Sequence, residues 1–439
     1  MCAPELADIF SVMFNLSFQT RSVPALWKQS CIVPVPKKSV ITCLNDFRPI
    51  ALTSVPMKVC ERIFLNHFKP IVTPFLDPMQ FAYQSKRSCE DAVLLLLDRV
   101  YSHLENSRSG HHARLMFFDF SSAFNTIRPH ILIRKLIDLS VIPFDLIEWC
   151  MDYLTNRTQF VKLSSSIRSA ITVSNTGAPQ GTVAAPFLFT LYTADIRSSM
   201  EMCPLVKFAD DSAIVGLIDK DDDRAYLQQV QVFVEACEKN FLELNVSKTK
   251  EMVIEFRKNV EAPIPVTIRG TEVERTRTYK YLGVTLNDKL TWGDHVDTVI
   301  KKLNARSYCL RKMASFNVRT EILTIFYNSI LCNVWRYCLI CWGGNASKSE
   351  RNRIDGVIKR AGRVIGKSQQ SVDTIYQCVL QSKLDFINND QSHPLHGQLC
   401  CQCRAGGNGR LRLPVLRTNR YRDSFIPRAI KCYNANFKR

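Results

Sequence analysis

Three aspartates carry the most chemical information in this chain: Asp119, within RLMFFDFSSAFNTI, and the adjacent pair Asp210 and Asp211, within PLVKFADDSAIVG. Each stands at the end of an apolar run. An acidic doublet set between Val206, Phe208 and Ala213, Ile214, Val215 works against folding, because adjacent carboxylates repel and burying an unpaired one costs several kcal/mol. A cation at the cluster would remove both penalties. The chemistry that uses such a cluster is displacement at phosphorus, where two divalent ions clamp the attacking and leaving oxygens. A solvated turn would also account for the doublet taken alone, since Asp is common in turns.

The elements that must position these carboxylates are legible in the same segments. Leu205 to Ala209 and Ser212 to Gly216 read as strands around a two-residue step, which predicts a hairpin with Asp210 and Asp211 at its tip. Side chains alternate faces along a strand, so one aspartate can face a metal while its neighbour turns aside; Asp210 is the expected ligand. Mg²⁺ takes octahedral oxygen ligands and keeps positions for substrate phosphates, so Asp119 plus Asp210 is a sufficient protein contribution. Elsewhere, Pro129 to Leu139 and Pro186 to Ile196 read as helices, and Asp222 to Phe241 as a longer one with Leu227, Val230, Val234, Cys237 and Phe241 on its apolar stripe. Glu251 to Phe256, Val266 to Ile268 and Tyr279 to Leu286 read as strands, and helices dominate from about His295. Internal repeats are not visible.

The doublet in FADD is preceded by DFSSAFNTI and GAPQGTVAAPFLFTLYTADI and followed by LNVSKTKEMVIEF and YKYLGVTLNDKLTW. This ordered series resembles that of a reverse transcriptase, and most closely the non-LTR (LINE-type) retrotransposon polymerases. The resemblance starts near ALWKQSCIVPVPKK and DFRPIAL and runs on through YNSILCNVWRYCLICWGGN and TNRYRDSFIPRAI, almost the whole chain. It implies an α+β right-hand polymerase with fingers, a palm built on an antiparallel sheet and a helical thumb. The implied boundaries are a polymerase domain at 18–288 (fingers about 18–112, palm about 113–288), a thumb-like helical region at 289–345 and a basic, partly helical region at 346–439. It further implies RNA-directed DNA polymerase activity with two Mg²⁺ ions (Mn²⁺ as an alternative), an RNA template, a DNA primer or target, and dNTPs. Full-length members usually carry an endonuclease ahead of the polymerase, so the chain reads as a truncated product or fragment.

The resemblance also assigns roles. Lys37, Lys38 and Arg48 fall where a lysine and an arginine meet the incoming triphosphate, the lysine as a point charge and the arginine as a fork; an exposed basic loop would look the same. Phe124 resembles the aromatic gate under the sugar, which collides with a 2′-hydroxyl and so favours deoxynucleotides, though core packing is the plain alternative. Asn125 follows where the family often has Asp. In GAPQG, Gln180 and Gly181 fall beside the nascent base pair and template. Lys248 and Lys250 occupy the region of a lysine that protonates leaving pyrophosphate, worth roughly 10² to 10⁴ in rate. Tyr281, Leu282 and Gly283 resemble the hairpin that grips the primer end. Lys301, Lys302, Arg306, Arg311 and Lys312 suit a thumb that tracks a duplex, or simply an exposed basic helix face.

Composition bounds these readings. The formal net charge is +18, and residues 351–439 hold 17 Lys+Arg against 5 Asp+Glu, so about two-thirds of the excess lies in the last fifth of the chain. A polyanion is the natural partner. The basic residues do not line one face of an amphipathic helix, and Ile330 to Gly343 is short and interrupted by Asn333 and Arg336, which makes it a core helix and not a membrane span. Seventeen cysteines, with Cys60, Cys150, Cys237, Cys309 and Cys332 among apolar neighbours, read as buried thiols in a reducing compartment. The first residues lack a basic n-region, so the protein is expected in the nucleus or cytoplasm and not secreted. Cys400, Cys401 and Cys403 near His393 and His396 invite a zinc reading, although CCxC after HxxH is not the paired arrangement of structural zinc and departs from the family pattern. Two rival functions stay open: a catalytically inactive or co-opted remnant that binds RNA and DNA, and an RNA-directed RNA polymerase, which Phe124 opposes.

Overall fold

The apolar run ahead of Asp119 forms the strand His112–Phe118, buried at every position, in the middle of a five-stranded sheet. Burial on both sides accounts for its apolar run Leu115 to Phe118. The computed structural model describes residues 3–105, 111–400 and 410–436 and is mixed α and β with mainly antiparallel sheets, as expected. The chain forms two compact units, interleaved in sequence: one from 1–85, 119–197 and 231–245, the other from 86–118, 198–230 and 246–439.

In the second unit the sheet order is Glu274–Arg275, Lys250–Ile254, His112–Phe118, Asp211–Ile218 and Leu205–Phe208. The three central strands pair antiparallel, with Phe118 opposite Ser212 and Phe117 opposite both Ala213 and Lys250. One face of this sheet carries a buried ion network. Glu251 and Arg114, both with fully buried side chains, pair at 2.7 Å, and the Tyr226 hydroxyl donates to Glu251 at 2.9 Å. Arg275 donates to the other carboxylate oxygen at 2.8 Å, and the Arg114 guanidinium lies 4.8 Å from the Tyr226 ring centroid. Both carboxylate oxygens of Glu251 thus have donors, the condition for a buried pair to be tolerated. On the opposite face Phe117 stacks on Tyr279 at 4.1 Å.

The helix Gly293–Ser315 in the same unit buries His295, Val296, Val299, Leu303, Ser307 and Leu310 on one stripe and exposes Lys301, Lys302, Arg306, Arg311 and Lys312 on the other. This is the amphipathic pattern of a surface helix. In the first unit, strands Ser30–Pro36 and Phe47–Leu52 form an antiparallel hairpin, extended by Arg157–Val161 and Thr172–Ser174. Among the described residues no helix is long and apolar enough to cross a membrane.

Several sequence expectations are corrected. The stripe on the helix Arg224–Lys239 is rotated: Tyr226, Gln229, Val230, Phe233, Val234 and Cys237 are buried, while Leu227 and, beyond the helix end, Phe241 are exposed. Gln229 is buried because its side chain accepts from the Ser198 hydroxyl at 2.9 Å, which a count of apolar residues does not register. Tyr279 to Leu286 is a hairpin of Thr278–Tyr281 and Val284–Asn287, because Leu282 and Gly283 both have positive φ. Ile330 to Gly343 is not one helix: a π-helical turn Tyr327–Cys332 leads into Asn333–Arg336, and left-handed Cys338 breaks the chain before Leu339–Trp342. Cys309 is exposed on its helix. Among the described residues no cysteine forms a disulfide.

Two predictions test the core. Replacing Glu251 with Gln removes the counter-charge of Arg275 and leaves Arg114 with Asp223 alone, and breaking a buried pair from one side costs about 3–5 kcal/mol; urea unfolding should show a loss approaching this size. Asp98, buried on the helix Cys89–Glu105, has its carboxyl raised to about 7 by burial, which outweighs the lowering by Arg99 and by a Gln398 hydrogen bond. A raised folded-state value means that the folded chain holds the proton longer, so its contribution is complete below about 4 and is lost as pH rises through about 7. Asp98→Asn should therefore raise Tm relative to the parent more at pH 8 than at pH 5, as measured by calorimetry.

Candidate functional site

The hairpin that carries the acidic doublet turns one residue earlier than its sequence pattern predicts. Phe208 pairs with Asp211, so Ala209 and Asp210 are the two turn residues and Asp211 opens the outgoing strand. Ala209 has φ +55, a conformation that costs a residue with a Cβ and is kept where the surroundings enforce it. Asp210 is half-buried and Asp211 exposed. By strand alternation Asp211 shares a face with Ala213, and hence with Phe117, Tyr279 and Tyr281, away from the Glu251 network. Burial drives the Tyr281 phenol pKa up, and the Asp211 charge adds to it.

Asp119 follows Phe118, whose register partner Ser212 follows Asp211. It belongs to the first unit, while Asp210 and Asp211 belong to the second. Within the first unit the Asp119 carbonyl accepts from Asn245 at 2.8 Å, and Phe120 bridges to Leu244. Of the two lysines that follow, Lys250 is committed: its ammonium pairs with Glu274 at 2.7 Å and donates to the Ser247 carbonyl. Lys248 is exposed.

The first unit gathers a second group of the expected residues around one loop. The amide of Ala51, on the Phe47–Leu52 strand, donates to the Gln180 carbonyl at 2.7 Å, and Ala178 donates to the Phe124 carbonyl at 2.8 Å. Gly181 has φ +117, and a Cβ there would lie 2.8 Å from the Ala51 carbonyl oxygen, so only glycine allows this approach. Phe124 is half-buried, with its ring centroid 5.0 Å from that of Phe189. Arg48 projects from the same Phe47–Leu52 strand, exposed, with no hydrogen bond or ion pair among the described residues. Lys37 donates to the Asn45 carbonyl at 2.8 Å, and Lys38 is neutralised by Asp46 at 2.8 Å, which holds that carboxyl well below its usual range.

Glu61 supports this loop and was not anticipated. Its side chain is fully buried and accepts from the amides of Val183 and Ala184, just before the helix Ala185–Tyr192, and from the Tyr153 hydroxyl at 3.1 Å. A glutamate in the helix Val55–Val72 has no sequence mark that ties it to a loop 120 residues away. Burial raises its carboxyl, against the lowering by these donors.

Two other metal groupings meet competing partners. His112, Asp221 and Glu255 come close enough to share an ion, but the Arg257 guanidinium already binds both carboxylates, so a dication would have to displace it. The zinc reading near the C-terminus loses His393: its Nε2 lies 3.0 Å from Asp91 and its Nδ1 accepts from Leu395 at 3.1 Å, which leaves no ring nitrogen for a metal. Cys401 and Cys403 lie outside the described residues.

A family model described as reverse transcriptase (RNA-dependent DNA polymerase) matches residues 35–286, more than half of the chain. The probable RNA-directed DNA polymerase from transposon BS of Drosophila melanogaster is 26% identical over 376 residues, 81% of this chain and 40% of that protein. The RNA-directed DNA polymerase from mobile element jockey, also of Drosophila melanogaster, is 24% identical over 365 residues, 79% of this chain and 38% of that protein. The chain thus spans about two-fifths of the length of these curated relatives. Among solved structures, telomerase from Candida Tropicalis with a fragment of telomeric RNA aligns with a TM-score of 0.43 at 12% identity, covering 88% of this chain and 66% of that one.

The support that Glu61 gives the loop is testable directly. Glu61→Leu leaves the Val183 and Ala184 amides without their acceptor, at about 1–3 kcal/mol for each buried group. Amide hydrogen exchange at Val183 and Ala184 should accelerate at least tenfold, with a matching fall in Tm.

Proposed function

Because this chain belongs to the reverse transcriptase (RNA-dependent DNA polymerase) family, we propose that it is the polymerase portion of a non-LTR retrotransposon protein, extending a primer 3′-hydroxyl with dNTPs on an RNA template. The observation that carries this reading is the register in the second unit, which ends the His112–Phe118 strand beside the Phe208–Asp211 turn. In this proposal Asp119 and Asp210 hold two Mg²⁺ ions, or Mn²⁺, with Asp211 alongside. The donor set fits: hard carboxylate oxygens on a turn left open for phosphate and water. Bound there, the ions would supply charge stabilisation at phosphorus and a more acidic 3′-hydroxyl.

The protein's own groups then position and neutralise. Arg48, unencumbered by an acidic partner, is the proposed fork on the triphosphate, with Lys37 near it in sequence on the same hairpin. Phe124 would exclude the 2′-hydroxyl, and Gln180 and Gly181 would support the nascent pair from a loop that Ala51 and Glu61 hold in place. Lys248 or Lys250, the latter paired with Glu274, would serve as the acid for leaving pyrophosphate. Tyr281, Leu282 and Gly283 would contact the primer end. Fingers, palm and thumb at 18–112, 113–288 and 289–345, and nucleic-acid binding by the basic 346–439 region, belong to the same proposal, as does action inside the cell.

The test is primer extension by the purified chain on an RNA homopolymer with a DNA primer and Mg²⁺. The parent should incorporate dNTP, Asp210→Asn should lose about 100-fold or more, and chelation should abolish the signal. Equal rates for parent and Asp210→Asn would sink the metal assignment. A parent that binds the template but extends nothing would favour the inactive remnant, and ribonucleotide incorporation would favour an RNA polymerase.

A further inference from the structure

We infer that Tyr337 is a positioning residue for the primer-contacting turn Leu282–Gly283, an assignment that rests on the proposed polymerase function. The turn joins Thr278–Tyr281 to Val284–Asn287, and both of its residues have positive φ, 44° at Leu282 and 86° at Gly283. Asn-Gly is the usual solution for such a turn; leucine at the first position carries a steric cost that something outside the hairpin must offset. The Tyr337 hydroxyl donates to the Leu282 carbonyl at 2.7 Å, and its ring would lie 3.0 Å from a Cβ placed on Gly283. One side chain therefore meets both turn residues, by a hydrogen bond at Leu282 and by a close approach at Gly283.

The backbone around Tyr337 is bent to make this reach. A π-helical turn at Tyr327–Cys332 shifts the helical phase, Asn333–Arg336 ends at Tyr337 with ψ 121°, and Cys338 is left-handed at φ 49°. π-Helical insertions and left-handed non-glycine residues cost energy and gather where a side chain must be re-aimed. The break is secured by the Trp342 indole N–H, which donates to the Tyr337 carbonyl at 3.1 Å, with Trp335 and Trp342 buried on either side. Tyr337 itself is 41% exposed, so core packing does not account for it. Its phenol also meets the thiols of Cys89 and Cys338, and burial of the hydroxyl drives its pKa up, so it stays a donor across the physiological range.

Tyr337→Phe tests the assignment, because it keeps the ring against Gly283 and removes only the hydroxyl. In steady-state primer extension its KM for primer–template should rise roughly 3- to 10-fold, the worth of one hydrogen bond, with kcat within about twofold and Tm lowered by no more than about 2 °C. Tyr337→Trp, which offers a donor from a differently placed ring, should not restore the KM. A Tyr337→Phe enzyme with parental KM would overturn the assignment, as would a KM change that comes with a general loss of kcat and a much larger fall in Tm. A parent chain that extends no primer would remove the polymerase reading and this assignment with it, an outcome distinct from a parent that works and a variant that matches it.

Discussion

The antiparallel register between His112–Phe118 and Asp211–Ile218 is the constraint on which everything else depends. Side chains alternate along a strand, so a slip of one residue would move Asp211 from the face that carries Phe117 and Tyr281 to the face that carries Arg114, Glu251 and Tyr226. The register resists that slip because both faces are specified. On one, Gly216 faces the Tyr226 ring, which leaves no room for a Cβ; on the other, Ala213 and Val215 are buried. A chain held this way can afford an acidic doublet at a turn with a strained alanine, because the turn has no freedom to relax into another pairing.

Carboxylates in this protein divide by how their charge is met. Glu251 and Glu61 are fully buried, and each is surrounded by donors from its own unit. Their value is architectural: one ties the central sheet to the helix Arg224–Lys239, the other ties the Gln180–Gly181 loop to the helix Val55–Val72. Asp210 and Asp211 keep solvent access at a sheet end. Charge taken out of water is met by donors of the protein itself, whereas the carboxylates at the sheet end stay in contact with solvent. The helix Gly293–Ser315 keeps its apolar stripe inside and leaves Lys301, Lys302, Arg306, Arg311 and Lys312 exposed, Arg306 donating to the Ile330 carbonyl at 3.0 Å.

What was legible beforehand was what short-range chemistry encodes. The strand before Asp119, the acidic hairpin, the helix at Pro129 and the glycine at 181 each declare themselves through apolar runs, turn spacing or the absence of a Cβ. The exposed basic face of Gly293–Ser315 was also within reach. Failures came where a residue's partner is remote in sequence: Gln229 buried by Ser198, His393 satisfied by Asp91, the hairpin at Leu282 held by Tyr337, and Glu61 beneath a distant loop.

Sequence alone therefore determined which residues could do chemistry, in what order along the chain, and which local elements would carry them, because periodicity, propensity and backbone freedom act over a few residues. The tertiary structure decided which of those residues are spent and which remain available: Lys250 on Glu274, Lys38 on Asp46 and Arg257 on Asp221 and Glu255, against an Arg48 left exposed. That distinction is out of reach of any sequence pattern, because a charge is neutralised by whatever the fold brings within about 4 Å of it, and such neighbours are set by long-range packing and not by spacing along the chain.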